Sequence, residues 1–169
     1  GAISGGIAGF NKGTIENNIV TSGSSDSVIL STGISGAIAG KNAGKIIAST
    51  AMGIVADCDG VYGGVAGEAA ASSTINNCVT SGSVKGKAVN GGIAGKADAT
   101  ATIKNSYTFT ALSGNTAHGA VIGEGVAITE NNYWSSDISG RFIADESGSQ
   151  AGKFVTGSRL ITVKAGESK

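Results

Sequence analysis

A five-residue unit bracketed by glycines recurs five times in the chain, and its regular spacing is the strongest constraint on the fold. This glycine pentad occupies residues 5–9, 36–40, 63–67, 91–95 and 119–123, so its starting positions differ by 31, 27, 28 and 28 residues. Repetition at a period of roughly 20 to 50 residues is typical of solenoids and related arrays. The pentad therefore predicts a stacked architecture to which each unit contributes one coil.

The segments between the glycines favour short β-strands. They are five to eight residues long and rich in Val, Ile and Thr, a composition that suits strands. Glycine interrupts them too often for helices, where each glycine costs about 1 kcal/mol. Three segments joined by tight turns would form a coil, and coils would pair in parallel about 4.8 Å apart. We predict an all-β fold, a parallel β-solenoid (β-helix) of about five coils, right-handed by the general preference of parallel crossovers.

The use of glycine and proline agrees with backbone pairing between coils. The chain has 29 glycines among 169 residues and no proline. Proline would remove a donor from the ladders that join the coils. The pentad glycines are expected to permit positive φ at corners and to let neighbouring coils approach closely.

Two series of branched aliphatic residues recur at matching places and predict the core. One series lies within the pentads, and the other follows each pentad after a variable polar stretch. Stacking buries a continuous inner face that a single coil cannot bury alone. The two predicted inward stacks are Ile7, Ile38, Val65, Ile93 and Val121, and Ile15, Ile46, Ile75, Ile103 and Ile128.

An asparagine follows the second aliphatic series in most units. The recurring residues are Asn17, Asn77, Asn105 and Asn132, whereas Ala48 takes this place in the second unit. Side-chain amides that stack at one position form ladders along the axis of stacked strands. We therefore predict that these four asparagines form a structural ladder.

The order of these motifs resembles the GLUG repeat. The pentad is followed by Ile-x-Asn-Cys, as in Ile75-Asn-Asn-Cys78, and then by Thr-Ser-Gly-Ser-Val at 80–84. The ending Tyr133-Trp134-Ser-Ser-Asp-Ile-Ser-Gly140 is similar to the unit that often closes such arrays. The resemblance covers residues 1–140. We interpret residues 141–169 as a C-terminal cap with one or two further strands, because terminal repeats must seal the open core.

The resemblance implies a non-catalytic structural or adhesion-type module of a large exported bacterial protein, located at the cell surface or outside the cell. The module would act as a spacer or as an interaction surface towards a host glycan, a host protein or other domains of the parent. One alternative is a glycan- or host-protein-binding module that uses exposed Tyr133 and Trp134. Another is the accessory repeat region of a secreted IgA-type peptidase. Because residue 1 falls inside a repeat, we expect the chain to be a fragment.

Charge and hydropathy argue against two classes of partner. Twelve basic and twelve acidic side chains cancel, and Lys and Arg form no run. Nucleic-acid binding depends on clustered cations, so we expect no nucleic-acid partner. Glycine breaks the apolar stretches well short of the roughly 18 residues of a membrane span, so we expect no membrane insertion.

Few residues have the chemistry of catalysis or metal binding. A zinc peptidase commonly needs His-Glu-x-x-His, and His118 is the only histidine. Cys58 and Cys78 are the only thiols; we expect them to be free and buried, and a disulfide is the alternative. Asp57 and Asp59 would share one face of a strand. We interpret them as a solvated turn, with calcium binding or the paired-acid chemistry of a polysaccharide-degrading enzyme as alternatives. We expect no enzymatic activity and no cofactor.

An open edge at the first coil predicts self-association. Unpaired strand groups at a sheet edge are a template for pairing with another chain. Unless its first residues fold over this edge, we expect the fragment to associate end to end, so that its apparent mass in static light scattering rises with protein concentration. A strict monomer at millimolar concentration would contradict this prediction.

Overall fold

The fold is a parallel β-solenoid. The structure, a computed structural model, describes residues 2–22, 28–114 and 118–134. These residues form strands and no helix. The described part of the chain therefore contains no helix that is long and apolar enough to cross a membrane. The strands pair in parallel throughout the described ladders. The predicted all-β parallel solenoid is confirmed, with about four turns between its first and last described layers where about five coils were predicted.

A pattern of four strands repeats along the chain, and we call each set of four a layer. The first layer has β1 (Ile3–Gly5), β2 (Ala8–Asn11), β3 (Thr14–Glu16) and β4 (Ile19–Thr21). After β5 (Val28–Ser31), the second layer has β6 (Ile34–Gly36), β7 (Ala39–Asn42), β8 (Lys45–Ile47) and β9 (Thr50–Cys58). The third layer has β10 (Val61–Gly63), β11 (Ala66–Ala69), β12 (Thr74–Asn76) and β13 (Val79–Gly86). The fourth layer has β14 (Asn90–Gly91), β15 (Ala94–Ala97), β16 (Thr102–Lys104) and β17 (Tyr107–Gly114). The fifth layer has β18 (His118–Gly119), β19 (Ile122–Gly125), β20 (Ile128–Glu130) and β21 (Tyr133–Trp134).

Equivalent strands of successive layers form four sheets, A to D. Sheet A is β1-β6-β10-β14-β18, sheet B is β2-β7-β11-β15-β19, and sheet C is β3-β8-β12-β16-β20. Sheet D is β4-β9-β13-β17-β21, with β5 also paired to β9. The prediction of three segments in each coil was wrong. The pentad itself bends the chain between sheets A and B, which adds a fourth side to every layer.

The predicted stack within the pentads forms the core. Ile38, Val65, Ile93 and Val121 are fully buried. Ile7 remains 44% exposed, because its layer packs against another layer on one side only among the described residues. The stack is therefore confirmed in four layers and incomplete in the first.

The second predicted stack holds for four residues and fails at the fifth. Ile15, Ile46, Ile75 and Ile103 are buried, whereas Ile128 is 59% exposed. The register pairs Ile103 with Thr129 and places Ile128 beside Thr102. A shift of one residue turns a side chain to the other face of a strand. Ile128 thus belongs to the outer surface, which corrects the prediction.

The first glycine of the pentad is required for close backbone packing. A Cβ at Gly63 would collide with the carbonyl oxygen of Ala66 and lie 2.6 Å from the backbone nitrogen of Gly95 in the next layer. Gly36 and Gly91 meet equivalent backbone atoms. None of these three glycines has positive φ, so the expectation of positive φ at the pentads was wrong for them. Absence of a side chain is what the pentad requires.

We expect Gly63→Ala to lower the free energy of unfolding by about 2–3 kcal/mol, because overpacking forces backbone shifts. Gly13→Ala is the matched control, because its nearest neighbour is Asn11 Oδ1 at 4.0 Å. That substitution should change stability by less than about 0.5 kcal/mol. Urea unfolding followed by circular dichroism measures both, and equal losses would contradict the packing argument.

Candidate functional site on the outer face of sheet D

The predicted ligand-binding residues Tyr133 and Trp134 lie on opposite sides of sheet D. Trp134 pairs with Thr108 in the ladder and is only 3% exposed. It belongs to the core cluster at the last described layer. Trp134 therefore cannot meet a ligand on the surface, and the glycan-binding hypothesis loses this residue. Tyr133 is half-buried on the outer side.

Tyr133 is part of an exposed aromatic cluster that also contains Tyr107 and Phe109. Tyr107 pairs with Tyr133 in the ladder, and their rings stack with centroids 5.0 Å apart and planes inclined by 15°. Phe109 follows two residues after Tyr107 on β17, so both side chains point outward. Tyr107 and Phe109 are both exposed. The structure therefore presents an aromatic surface next to the predicted one, built from different residues.

The cluster belongs to a larger uncharged surface, which we call the D face. It consists of the outward side chains of five layers that are apolar or carry hydroxyl groups, and it ends before charged Asp57 and Lys85, which follow further along the same strands. These side chains are those of Ile19, Thr21, Thr50, Met52, Val55, Val79, Ser81, Ser83, Tyr107, Phe109, Ala111 and Tyr133. Ile19 is 74% exposed and Met52 is 51% exposed. Exposed apolar patches of this kind mark interaction sites.

Sheet B carries the opposite kind of outer surface. One column reads Phe10, Lys41, Glu68, Lys96 and Glu124 in successive layers. Lys41 Nζ lies 2.6 Å from Glu68 Oε1, and Lys96 Nζ lies 3.1 Å from both carboxylate oxygens of Glu124. Such partly exposed pairs each contribute little to stability. Their alternation avoids like charges in adjacent strands.

Asp57 and Asp59 lie at the far end of sheet D, where the next layer supplies lysines. Asp57 pairs with Lys85 in the ladder, and Lys87 Nζ lies 2.8 Å from Asp59 Oδ1. The hydrogen bond and the charge of Asp59 raise the pKa of Lys87. With Leu30, Ser31 and Thr32, the pair of aspartates and Lys87 line an open groove of about 350 Å³.

This groove favours ionic contacts over acid–base chemistry. A glycosidase acid is kept protonated by an apolar, desolvated setting, whereas Asp57 and Asp59 are both exposed. Among the described residues, no three His, Cys, Asp or Glu side chains lie close enough together to hold a metal ion. His118 begins β18 opposite Asn90, and it lies in a different sheet from the aspartates.

The predicted asparagine ladder marks a corner of the backbone. Asn17, Asn77 and Asn105 adopt left-handed φ values of 57°, 54° and 52°, and Ala48 adopts 48°. Asn131 has φ of 51° and donates from Nδ2 to Asn105 Oδ1 at 3.3 Å. Asparagine tolerates this conformation better than most residues. The recurrence of asparagine therefore reflects backbone geometry at the corner between sheets C and D.

Asn132 is the residue after the corner, so its predicted place was wrong by one position. Its Nδ2 donates to Ile103 O at 2.6 Å, and its Oδ1 accepts from the backbone nitrogen of Ser106 at 3.1 Å. Asn132 is fully buried. In the register it stands in line with Asn18, Ser49, Cys78 and Ser106. We call these five residues the polar column.

The polar column joins layers through side chains. The backbone nitrogens of Asn18 and Cys78 donate to the hydroxyls of Ser49 and Ser106 in the following layers, at 3.3 and 3.1 Å. The hydroxyls in turn donate to the carbonyl two residues earlier, as does the Cys78 thiol to Asn76 O at 3.4 Å. Cys78 thus occupies a position that hydroxyl and amide side chains fill in the other layers.

Both cysteines are free and buried, as predicted. Burial raises the pKa of Cys78 to about 11, against the opposing effect of backbone hydrogen bonds. Burial also raises the pKa of Cys58, whose sulfur lies 3.8 Å from Ser35 Oγ. Buried, protonated thiols are poor nucleophiles and poor metal ligands. The two cysteines therefore have structural roles.

The repeat period contains a signal for the contacts that sequence reasoning missed. Lys85 and Lys87 each lie 28 residues after Asp57 and Asp59, and this is the period of the pentads. The outward position of Tyr107 and Phe109 follows from two-residue alternation along β17. Extending the 28-residue period from the pentads to the charged residues would have predicted that Asp57 and Asp59 lie beside Lys85 and Lys87.

Comparison with known proteins identifies no relative of this chain. Searches of protein-family profiles, of curated proteins and of solved structures find no match to this chain.

We expect Cys78→Ser to raise the free energy of unfolding by about 1 kcal/mol at neutral pH. The hydroxyl would offer the backbone nitrogen of Ser49 an oxygen acceptor, whereas sulfur is a weak acceptor. Cys78→Ala, the control, removes donor and acceptor together and should lower stability by about 1–2 kcal/mol. Urea unfolding measures both, and a loss with serine would contradict the role of the column.

The same variant should change the response to alkaline pH. The folded-state pKa of Cys78, about 11, lies above its ordinary value of 9.0. The protonated thiol therefore favours the folded state in full below pH 9, where both states keep the proton. Above pH 9 the unfolded state loses its proton first, so the free energy of unfolding falls by up to about 1.4 kcal/mol per pH unit as the pH rises towards 11. Cys78→Ser should lose less stability than the wild type over this range, and identical slopes would contradict the assignment.

Proposed function

We propose that this chain is a non-catalytic repeat module of a large exported bacterial surface protein, where it acts as a spacer and interaction surface. The resemblance of its motifs to GLUG repeats supports this proposal. So does one structural observation: each layer is joined to the next by equivalent contacts on all four sides. The length of such a rod depends on the number of layers, at about 4.8 Å for each.

The interior of the solenoid supports a structural role. Stacked Ile and Val side chains fill the core, and the polar column supplies hydrogen bonds between layers. In the partly exposed ion pairs on sheet B, lysine and glutamate cancel each other's charge. These features resist separation of the layers along the axis, which is the property that a spacer needs.

A second candidate function is a glycan- or host-protein-binding module, and the D face favours it. Exposed Tyr107 and Phe109, beside Tyr133, replace buried Trp134 as the aromatic residues of such a site. The partner would be a host glycan, a host protein or another domain of the parent protein. The accessory repeat region of an IgA-type peptidase remains a proposal that rests on the resemblance alone.

Duplicating one complete layer tests the spacer. Residues 63–90 comprise 28 positions from one pentad to the next. A second copy after Asn90 should fold, unfold cooperatively and lengthen the rod by about 4.8 Å. Small-angle X-ray scattering and urea unfolding measure these properties.

Duplicating residues 63–76 at the same place provides the control, because it repeats the strands of sheets B and C without the strand of sheet D. This insertion breaks the order of the sheets and should abolish cooperative unfolding. If the 28-residue duplication destabilises the protein as much as the shorter one, the layers are not interchangeable units and the spacer proposal is wrong.

A further inference from the structure

We propose that two copies of this chain pair through the open edge of β3 (Thr14–Glu16) in their first layers and form a closed, two-fold symmetric dimer. This goes beyond the proposed function and does not depend on it. The sequence predicts association at the first coil. The strands of the first layer add which residues pair, in which direction, and why association stops at two copies.

Strands of sheet C bind the preceding layer through their first and last residues. Lys45 N donates to Gly13 O at 2.8 Å, and Ile47 O accepts from Asn17 N at 3.2 Å. The nitrogen at the first position donates to the preceding layer in each later strand of the sheet as well, namely from Thr74, Thr102 and Ile128. The same backbone groups therefore join every described layer to the one before it.

In the first layer these groups have no described strand to bind. Thr14 and Glu16 are the register equivalents of Lys45 and Ile47, and β3 is the last strand at its end of sheet C. The first described residues do not cover this edge, because they form β1 in sheet A. The N–H and C=O groups of Thr14 and Glu16 therefore point to the open side, where an unpaired edge favours pairing with another strand.

This edge is complementary to itself. In an antiparallel pair, two residues opposite each other can exchange both of their backbone hydrogen bonds. A two-fold axis at Ile15 places Thr14 opposite Glu16 of the second copy, and Glu16 opposite Thr14 of the second copy. Each of these two pairs then exchanges an N–H and a C=O in each direction. A second copy of this chain thus supplies what the edge lacks.

The core continues across the same contact. Ile15 begins the buried stack that includes Ile46, Ile75 and Ile103. The two-fold axis sets Ile15 against Ile15 of the second copy, in a pair whose Cα atoms lie about 4.5 Å apart. The aliphatic stack therefore extends into the second copy. Ile7, which is 44% exposed, lies in the same open layer and gains a neighbouring layer.

The charges of the first layer allow this pairing. Lys12 and Glu16 are the only charged side chains among residues 2–22, and they have opposite signs. Like charges directly opposite each other destabilise a strand pair. The two-fold arrangement places Glu16 beside Thr14 of the second copy and away from the other Glu16, so no like charges meet directly.

The other end of the described solenoid offers no equivalent open face. The inward side chains of Val121 and Trp134 in the fifth layer are 0% and 3% exposed, whereas Ile7 in the first layer is 44% exposed. A contact between two first layers uses the same surface on both copies, and such a contact is closed. It leaves no open first layer for a third copy, so the assembly ends at the dimer.

Sedimentation equilibrium of the full chain tests the size of the assembly. We expect the average mass to rise with concentration and to level off at twice the mass of one chain. One layer is a small contact surface, so the dissociation constant should be about 0.1–1 mM.

Proline at position 14 tests the edge. Thr14→Pro removes a donor that the chain itself does not use, and an edge strand tolerates proline when its N–H side is open. Circular dichroism should show an unchanged fold, and dimerisation should weaken by about tenfold or more, because each copy loses a hydrogen bond. Thr14→Val, the matched control, keeps the N–H and should dimerise within about threefold of the wild type.

Disulfide formation tests the register and does not depend on the folding of the proline variant. Thr14 and Glu16 of the second copy should have Cα atoms about 5.5 Å apart, which is within the reach of a disulfide. An oxidised mixture of Thr14→Cys and Glu16→Cys chains should therefore form the mixed dimer. Each variant alone should crosslink several-fold less, because identical positions lie about 8 Å apart. Cys58 and Cys78 are buried and do not compete.

The proposal is overturned if the mass stays that of one chain at millimolar concentration, or if it rises past two chains. It is also overturned if folded Thr14→Pro dimerises like the wild type, or if either cysteine variant alone crosslinks as well as the mixture. None of these outcomes affects the duplication test, so failure of the dimer and failure of the spacer are distinguishable.

Discussion

Backbone hydrogen bonds between successive layers are the interaction on which the rest of the structure depends. The ladder runs along the solenoid axis, as in Val65 N donating to Ile93 O at 2.8 Å and Tyr107 N donating to Cys78 O at 2.8 Å. Paired strand residues in the described layers therefore lie above or below their equivalents in the neighbouring layers. A side chain is acceptable only if it can stack on its own equivalents or on a complementary group.

This constraint explains the patterns on each side of the solenoid. Ile75 stacks between Ile46 and Ile103 in the core, where aliphatic groups pack on one another. Charged side chains on sheet B alternate in sign from Lys41 to Glu124. The tyrosines of sheet D stack with each other. Glycine begins the pentads because the backbone of the next layer occupies the space of a side chain.

The period and the aliphatic positions were sufficient to predict a parallel solenoid and most of its core. They could not predict the fourth sheet. The bend between sheets A and B lies inside the pentad, and the pentad's sequence indicates one continuous segment where the structure has two strands. Ile128 and Asn132 were each misplaced by one residue, since loops of different length separate the strands and shift the register. The outward Tyr107 and Phe109 were missed because an aromatic residue near the end of an array also fits a cap. The predicted cap at residues 141–169 lies outside the described residues.

A rod that carries charge pairs on the outside of sheet B and an uncharged aromatic surface on part of sheet D suits a module that both separates and presents. The central claim, in-register stacking of the layers, is tested most directly by the distance between Glu16 and Glu130 in the outer column of sheet C, 114 positions apart in sequence. Four ladder steps separate them, so double electron–electron resonance between spin labels at these sites should give a narrow distribution near about 19 Å. A broad distribution, or a distance beyond about 30 Å, is incompatible with four steps of this spacing and would contradict the stacked solenoid.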